Sequence, residues 1–368
     1  MRQFQKLIGL IILTITLASF GFYKGFIIKG HIEGIEDGTW VKLFDLDQQI
    51  YLDSAISKNG NFILKGKVEH PTTCWLQCKK EYAIIQVENT EMTFNSPLKK
   101  MLLNNTAQGG NEQRLQNELN KLQRPYKNLF YGAYDSLENK KYSSDSQKQR
   151  LIKQFKESQS TDQEIYVNFG KKHANSYLGT DIIYSNRERI PKDSLKLLYE
   201  KLLPKYKKTS RSKALKVFLY EELAQKGKQF IDFKAKTIKR ENFSLSSLKG
   251  NYIYLSFWSA GCGPCRIENR FLSQNKNELP KDLSLVSFSI DKNFKDWDFA
   301  SKSDGIDWYN ISDLEGESGR IKTQYQVQAI PTSFLIDKNG IVMEKFIGYD
   351  KNILKRIKKL IEEKKNEH

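Results

Sequence analysis

The chain has 368 residues, 39% of them hydrophobic and 28% charged, with a formal net charge of +17 at pH 7. This length exceeds the roughly 100–200 residues of one domain, and the composition excludes a disordered or fibrous chain. The charge excess lies mainly in residues 101–229, which carry 25 basic and 14 acidic side chains at scattered positions. Scattered charges favour a solvated helical surface over a polyanion site, so nucleic-acid binding is not expected.

The chain begins with Arg2 and Lys6, followed by an apolar run over residues 7–20. A charged start followed by an apolar run of this length predicts an export signal. The run is short for a membrane span, which needs about 20 residues and is approached only over residues 7–23. We expect residues 1–21 to be a signal peptide or a membrane anchor; a buried core helix is the alternative. The expected location is the periplasm or cell envelope, secreted or anchored by an uncleaved signal.

Residues 22–98 contain short strand patterns separated by turn residues. Asp37-Gly38 and Asn59-Gly60 favour tight hairpin turns, because both turns require backbone conformations that glycine adopts easily. We expect a small β-sandwich-like domain here. Its expected core residues are Trp40, Phe44, Ile50, Leu52, Phe62 and Leu64.

Residues 99–229 have apolar side chains at helical spacing, for example Leu115, Leu119 and Leu122, and are expected to form a helical region. Residues 138–162 are rich in Lys, Ser, Gln and Asp, so we expect part of that stretch to be a mobile loop or a frayed helix end. Three prolines are expected to punctuate the helices: Pro125, Pro191 and Pro204.

Residues 230–368 alternate between strand and helix patterns, which predicts an α/β domain. Its strongest predicted elements are strands over 252–258, 283–290 and 332–337, helices over 264–279 and 352–363, and a hairpin turn over 337–340.

Four cysteines occur in the chain, too few for a scaffold stapled by disulfides. Cys74 and Cys78 lie four residues apart on a predicted strand, about 13 Å, whereas a disulfide needs Cα atoms within about 7 Å. We expect them to be free, partly buried thiols. Cys262 and Cys265 form the sequence Cys-Gly-Pro-Cys, which follows a predicted strand and opens a predicted helix.

The Cys-Gly-Pro-Cys sequence carries the chemistry that we expect of the chain. Cys262 would lie at the helix N-terminus, where unpaired N–H groups stabilise a thiolate, so it is the predicted nucleophile. Cys265, one turn further along, is the predicted resolving thiol. Pro264 suits the first helical turn, and Gly263 allows a substrate to approach closely, so both are predicted substrate contacts.

A structural zinc site and a purely structural disulfide are the alternatives for this pair. Zinc needs four ligands, and no second cysteine pair or histidine pair accompanies the first. A disulfide across two residues closes little chain. We therefore expect no metal and no cofactor other than the redox-active Cys262–Cys265 disulfide.

Residues 258–266, WSAGCGPCR, and residues 329–332, AIPT, resemble the thioredoxin superfamily, in particular its TlpA/ResA-like envelope branch of the AhpC/TSA/redoxin type. The resemblance covers about residues 230–368 and implies a thioredoxin-like domain with a central mixed sheet flanked by helices. It also implies that Pro331 is cis and lies beside Cys262. An ordinary proline at a strand start is the alternative.

Two further residues are assigned by the same resemblance. The backbone of Ile330 would pair with a substrate strand, and Trp258 would form part of the active-site wall; a plain core aromatic is the alternative for Trp258. The N-terminal half is similar to the β-rich domain of unknown function and basic helical stretch that precede the thioredoxin domain in many proteins of this branch.

Glu268 lies one turn after Cys265 and matches the glutamate of the C-x-x-C-x-x-E pattern in that branch. The resemblance implies a role in active-site proton transfer, and the alternative is an ordinary solvated glutamate. Two positions depart from the family pattern. Ser256 stands where many thioredoxins have a buried aspartate, and Arg270 stands where the branch commonly has proline.

The expected activity is thiol-disulfide exchange, in the direction that reduces the disulfides of exported proteins, with an upstream membrane electron donor. Peroxidase chemistry in a related fold uses a proline and a threonine where this chain has Leu255 and Ser259, which argues against it. A client-binding protein with a redox-controlled thioredoxin-like clamp is the alternative function.

Overall fold

The computed structural model describes residues 25–366. The predicted signal or anchor over residues 1–21 lies outside the described residues. Within them, no helix combines the length and the apolar character that crossing a membrane requires.

The N-terminal part of the described chain is built from seven strands in two sheets. The strands are β1 (Phe26–Glu33), β2 (Trp40–Asp45), β3 (Ile50–Ile56), β4 (Asn61–Gly66), β5 (Thr72–Cys78), β6 (Glu81–Val87) and β7 (Glu91–Pro97). One sheet has the order β4-β1-β7 and the other β3-β2-β5-β6. Inward side chains of both sheets share one apolar core, as in a sandwich.

Three of the six predicted core residues of this part occupy or contact the core: Phe62, Leu64 and Leu52. The prediction is wrong for Trp40 and Ile50, which are 51% and 46% exposed, and for Phe44, which is only half-buried. On β2 the inward positions belong to Val41 and Leu43, because successive side chains of a strand point to opposite faces. Trp40 and Phe44 therefore lie on the outer face of the four-stranded sheet.

Helices follow: α1 (Met101–Asn104), α2 (Asn111–Glu138), α3 (Asp145–Lys172), α4 (Tyr177–Ser185), α5 (Lys192–Glu200), α6 (Pro204–Lys207) and α7 (Ser210–Tyr220). Pro125 lies inside α2 instead of ending it, whereas Pro191 and Pro204 do stand at helix starts. The mobile stretch expected within residues 138–162 is also mostly wrong. Only a short connection follows α2, and α3 begins at Asp145; the side chain of its N-cap, Ser144, accepts the N–H of Gln147 at 3.2 Å.

The C-terminal part is one seven-stranded sheet with helices against it. Its strands are β8 (Lys234–Thr237), β9 (Asn242–Ser244), β10 (Tyr252–Trp258), β11 (Leu283–Ser289), β12 (Tyr309–Ser312), β13 (Thr332–Ile336) and β14 (Val342–Ile347). Its helices are α8 (Gly263–Asn275), α9 (Phe294–Asp304), α10 (Arg320–Gln324) and α11 (Ile353–Asn366).

The strand order in this sheet is β14-β13-β10-β11-β12-β8-β9. Strand β10 runs parallel to β11 and antiparallel to β13, so the sheet is mixed, as the sequence predicts. All seven residues of β10 are buried, which fits a strand covered on both faces. The thioredoxin-like fold expected for this part is confirmed, and it places the cysteine loop at the carboxyl end of β10.

Candidate active site

The cysteine pair lies at the junction of β10 and α8. Cys262 is the N-cap of α8, and the backbone N–H of Cys265 points at its Sγ, 3.2 Å away. Pro264 stands in the first turn, where its missing N–H removes no helical hydrogen bond. The two sulfurs are joined in a disulfide, with Cα atoms 5.3 Å apart. The free N–H groups of the helix start stabilise negative charge on Cys262 when the bond opens.

The two cysteines differ in their access to solvent. Cys265 is 1% exposed, whereas Cys262 is partly exposed, and Gly263 and Pro264 between them are exposed. A partner thiol or disulfide can therefore reach Cys262 but not Cys265. This difference matches the division into an attacking and a resolving sulfur.

Ile330 and Pro331 lie beside this pair although more than 60 residues separate them from it in sequence. The peptide bond between them is cis, as the family resemblance implies. The carbonyl oxygen of Ile330 is 3.6 Å from the Sγ of Cys262. Pro331 is buried and Ile330 is partly exposed, immediately before β13.

Trp258 lies beneath the pair, with 0% of its surface exposed. It belongs to one small apolar cluster with Cys265, Trp297 and Ala300. In this conformation no surface of Trp258 is open to a substrate. Its position corresponds to the alternative of a core aromatic, and it supports the cysteines by packing.

Glu268 is buried, 2% exposed, which excludes the alternative of a solvated surface glutamate. Its Oε1 accepts hydrogen bonds from the hydroxyls of Tyr254 at 3.1 Å and Ser256 at 3.2 Å, with Ser333 at 3.5 Å. Burial raises the pKa of the Glu268 carboxyl, and these hydrogen bonds partly oppose the rise. Ser256, at the position where many thioredoxins have an aspartate, thus donates a hydrogen bond to the Glu268 carboxylate.

Asp291 is a second buried carboxylate at the site, and the sequence interpretation missed it. Its two oxygens lie 2.9 and 3.1 Å from the backbone N–H of Ala260, two residues before Cys262, and it accepts the Ser289 hydroxyl at 2.7 Å. Burial raises the pKa of Asp291 to about 6. Sequence analysis names Glu268 and no other carboxylate near the cysteine pair, and the structure adds Asp291.

A signal for Asp291 was present in the sequence. It directly follows the strand predicted over residues 283–290. In the structure this strand, β11, runs parallel to β10 and ends beside it, where Trp258 pairs with Ser289. Polar side chains that follow the carboxyl ends of neighbouring parallel strands converge on one edge of the sheet.

Arg270 has a structural role in this chain. Its Nη1 lies 2.8 Å from Asp304 at the end of α9, and the guanidinium of Arg266 pairs with the same carboxylate. The Asp304 side chain has no exposed surface. The basic residue found in place of the family's proline therefore ties α8 to α9.

The other cysteines lie far from this chemistry in sequence and fold. Cys74 and Cys78 are free thiols on β5, as predicted, but both are fully buried instead of partly buried. Burial raises the pKa of both thiols, which keeps them protonated and unreactive. Among residues 25–366, no cluster of histidine, cysteine or acidic side chains is arranged to hold a metal ion.

The fold and the paired cysteines define a thioredoxin-like thiol-disulfide oxidoreductase. The chain is 30% identical over 139 residues to the thiol-disulfide oxidoreductase ResA of Bacillus cereus (strain ZK / E33L); the match covers 36% of this chain and 75% of that protein. The chain therefore belongs to the family of thiol-disulfide oxidoreductases that includes ResA.

Other comparisons agree on which parts of the chain are shared. The AhpC/TSA family matches residues 226–345, and a domain of unknown function (DUF4369) matches residues 26–116. The thioredoxin-like protein YneN of Bacillus subtilis (strain 168) is 28% identical over 127 residues, which cover 34% of this chain and 72% of that protein.

Similar solved structures cover about a third of this chain. A thiol-disulfide oxidoreductase from Bacteroides fragilis NCTC 9343 is 26% identical, with a TM-score of 0.34, and the match covers 36% of this chain and 99% of that one. StoA from Bacillus subtilis is 24% identical, with a TM-score of 0.31, covering 36% and 96%.

Proposed function

We propose that this chain is an exported reductase of protein disulfides in which Cys262 attacks and Cys265 resolves. The observation that carries the proposal is the unequal access of the two sulfurs at the start of α8: Cys262 is partly exposed at the N-cap, and Cys265 is 1% exposed. Exported proteins with disulfides are the substrates.

The exchange proceeds in two steps. The Cys262 thiolate attacks one sulfur of the client disulfide, forming a mixed disulfide and releasing the other client sulfur as a thiolate. The Cys265 thiolate then attacks Cys262, which releases the second client thiol and leaves the Cys262–Cys265 disulfide. Two electrons have passed to the client, and an upstream membrane electron donor must supply two electrons to reopen the pair.

The surroundings of the pair have proposed roles in these steps. Ile330 lies partly exposed next to Cys262, which supports a role for its backbone in pairing with a client strand, and Pro331 follows it in the same segment. Gly263 and Pro264 are exposed and form the surface that a client would meet. Glu268, buried one turn beyond Cys265, is the proposed proton acceptor for the resolving thiol.

A trapping experiment tests the division of labour. The Cys265→Ser variant should accumulate mixed disulfides with clients in the cell envelope, because the second step is blocked. The matched Cys262→Ser variant should form none, since Cys265 is buried. Adducts of equal yield with both variants, or complexes that persist when both cysteines are replaced, would instead favour a client-binding clamp.

The reducing direction is a separate part of the proposal. Cys-Gly-Pro-Cys is also the active-site sequence of thioredoxin, whose reducing pair has a potential of about −270 mV. We expect the Cys262–Cys265 potential, measured by equilibration with glutathione, to lie well below the roughly −120 mV of strong oxidants. A value near the latter would contradict reduction as the function.

Export and domain organisation are also proposed. Arg2, Lys6 and the apolar run over residues 7–20 support export, and a reporter fused after residue 24 should be active only outside the cytoplasm. The proposed units are the β-rich domain over residues 22–98, the helical region over 99–229 and the thioredoxin-like domain over 230–368. Separate apolar cores in these parts support the division.

A further inference from the structure

A polar cavity of about 420 Å³ lies far from the cysteine loop in sequence, between the four-stranded sheet and the helices α2, α3, α4 and α7. Its floor comes from the outer face of the sheet, through Thr73, Ile84 and Gln86. The volume falls within the roughly 300–1,000 Å³ of small-molecule sites in proteins. Neither the proposed catalytic residues nor the segment around Ile330 lines it.

Carboxamide side chains dominate the cavity wall: Gln86, Gln116, Asn120, Gln123 and Gln163. They are linked to each other and to neighbours; the Nε2 of Gln86 donates to Gln116 at 3.2 Å, and Gln116 donates to Asn120 at 2.9 Å. Each carboxamide has two donor hydrogens and an oxygen with two acceptor positions, so these bonds use only part of its capacity. The wall can thus donate and accept hydrogen bonds at several points.

The charges of the wall largely compensate each other. Asp47, Asp162 and Asp181 face Lys127 and Arg211 across the cavity. The Oδ1 of Asp162 and the Nε of Arg211 are buried without a hydrogen-bond partner among the described residues. Burial also raises the pKa of Asp181 to about 6. A cavity of this kind favours an uncharged ligand with many hydrogen-bonding groups over a strong anion or cation.

Aromatic side chains lead from the exposed surface of the sheet to the cavity. We call Tyr51, Phe44, Trp75 and Tyr82 the aromatic shelf. Their ring centroids are 5.0, 6.2 and 5.4 Å apart in that order. Tyr51, Trp75 and Tyr82 are 55%, 36% and 37% exposed.

The strand register connects the shelf with the cavity. Phe44 on β2 pairs with Tyr51 on β3 and with Trp75 on β5. Trp75 pairs with Ile84 on β6, which lines the cavity. Thr73, two residues before Trp75 on the same face, lines it as well. An extended ligand lying on the shelf would therefore continue into the cavity.

We propose that the aromatic shelf and the polar cavity together bind a neutral carbohydrate chain. The C–H faces of a sugar ring stack on aromatic rings such as Trp75, and sugar hydroxyls both donate and accept hydrogen bonds, which suits carboxamides, carboxylates and a guanidinium. Because the charges of the wall compensate each other, the ligand needs no ionic group. A second copy of this chain would leave the hydrogen-bonding groups of the cavity without partners, so the shelf is not primarily a dimer contact.

Calorimetric titration of the full-length chain tests this site, with cellotriose, maltotriose and chitotriose as separate probes. We expect saturable binding of at least one of them. Trp75→Ala should weaken it at least tenfold by removing the stacking surface, and Asp181→Asn should weaken it similarly while preserving side-chain size. Trp40→Ala is the matched control, because Trp40 is exposed on the same strand as Phe44 but belongs to neither the aromatic shelf nor the cavity wall. It should bind normally.

Unfolding midpoints and disulfide exchange, measured on each variant, separate loss of the site from loss of the fold. Both should be retained in Asp181→Asn and Trp75→Ala. The proposal is overturned if no probe binds at about 10 mM, or if Trp75→Ala and Asp181→Asn both bind as the parent chain does. It is also overturned if Trp75→Ala alters the sedimentation of the chain while no sugar binds, since the shelf would then join two copies.

Discussion

Two buried carboxylates lie close to the cysteine pair, and they differ in what they touch. Glu268 lies one turn after Cys265 and is hydrogen-bonded to side-chain hydroxyls on β10 and β13. Asp291 accepts the backbone N–H of Ala260 in the loop that leads to Cys262. Glu268 thus lies on the same helix as Cys265, the proposed resolving cysteine, whereas Asp291 holds the loop that leads to Cys262.

Replacement of Glu268 by Gln should slow the resolving step. Burial raises the pKa of the Glu268 carboxyl towards that of a thiol, which favours proton exchange between the two groups, and a glutamine cannot exchange a proton. Removing one general acid or base typically costs at least about tenfold in rate. Stopped-flow release of a client thiol from the mixed disulfide should therefore be slower by that factor in Glu268→Gln, and its dependence on pH should change, because only the ionisation of the thiols remains.

The rate at which Cys262 is alkylated in the reduced protein provides the control for this variant. Its pH profile should stay close to that of the parent chain, because Glu268 is hydrogen-bonded at Tyr254 and Ser256 and not at Cys262. Equal changes in alkylation and resolution would indicate a general disturbance of α8, and an unchanged resolving step would remove Glu268 from the mechanism.

Asp291→Asn should flatten the dependence of stability on pH. The folded-state pKa of Asp291, about 6, lies above the roughly 3.9 of an unfolded aspartate, so the native state binds the proton more tightly. The contribution is fully present below about pH 4 and is lost as the pH rises through about 6, a fall of about 2–3 kcal/mol in the free energy of unfolding. Urea unfolding of the oxidised protein should show a fall across this range that is smaller by about that amount in the variant than in the parent chain, because other buried carboxyls such as Asp181 contribute the rest.

A second aspartate gives the comparison. Asp307 is mostly exposed and pairs with Lys276 at the surface. Asp307→Asn should leave the shape of the profile unchanged, since a surface ion pair contributes little to stability. Parallel profiles for the parent chain and Asp291→Asn would mean that Asp291 does not carry the pH dependence.

At the scale of elements, α8 is held by an ion-pair cluster as well as by packing. Asp304 at the end of α9 pairs with Arg266 and Arg270, and its own side chain has no exposed surface. Arg270 is 46% exposed, so water screens its share of the interaction. The cluster fixes the first two turns of α8, which adjoin both cysteines.

Asp304→Asn should destabilise the oxidised protein by about 2–4 kcal/mol, because it leaves the partly buried Arg266 without its carboxylate. Arg270→Ala should cost less than about 1 kcal/mol, because that guanidinium can be solvated. Urea titrations of both variants measure the difference. An equal loss of stability in the two variants would show that the exposed Arg270, and not Arg266, accounts for the stabilisation by Asp304.

Helices and strands could be predicted where the sequence pattern is compatible with only one type of secondary structure. The buried run of β10, the hairpin before β14 and the amphipathic α11 were all predicted, because each matches a single period of apolar side chains. The continuity of α2 through Pro125 was not, because neighbouring helices can stabilise a helix despite a lost hydrogen bond. Phe44 and Trp40 were wrongly predicted to lie in the core. The sequence does not show which face of strand β2 the second sheet covers, and burial depends on that.

The candidate site could be predicted only in part. Cys262 and Cys265 follow from spacing and helix position, and Pro331 and Glu268 from family resemblance. Asp304 and Ser333 lie on another helix and another strand, and only the folded arrangement brings them near the pair. Asp291 follows a predicted strand, but its place beside Ala260 depends on β11 lying next to β10. Sequence spacing carries no direct information on such contacts.

At the scale of the whole molecule, a turn of the β-rich part touches the redox domain. Residues between β2 and β3 reach the segment that follows β11: the side-chain Oε1 of Gln49 accepts the N–H of Lys292 at 2.9 Å, and Asp47 lies 3.7 Å from the Lys292 ammonium. Lys292 directly follows Asp291, which holds Ala260. A continuous path thus links the β-rich part to the loop before Cys262.

Gln49→Ala should loosen this path without unfolding either part. A single hydrogen bond of this type contributes about 0.5–1.5 kcal/mol, so hydrogen exchange at the Lys292 amide should accelerate by roughly threefold to tenfold. Gln77→Ala is the matched control, since the Gln77 side chain accepts the exposed Tyr51 hydroxyl on the outer face of the sheet, outside this path. Because Asp291 adjoins Lys292, the Ala260 amide should also exchange faster in Gln49→Ala and not in Gln77→Ala. Unchanged protection at both amides would mean that the two parts are not joined by this turn in solution.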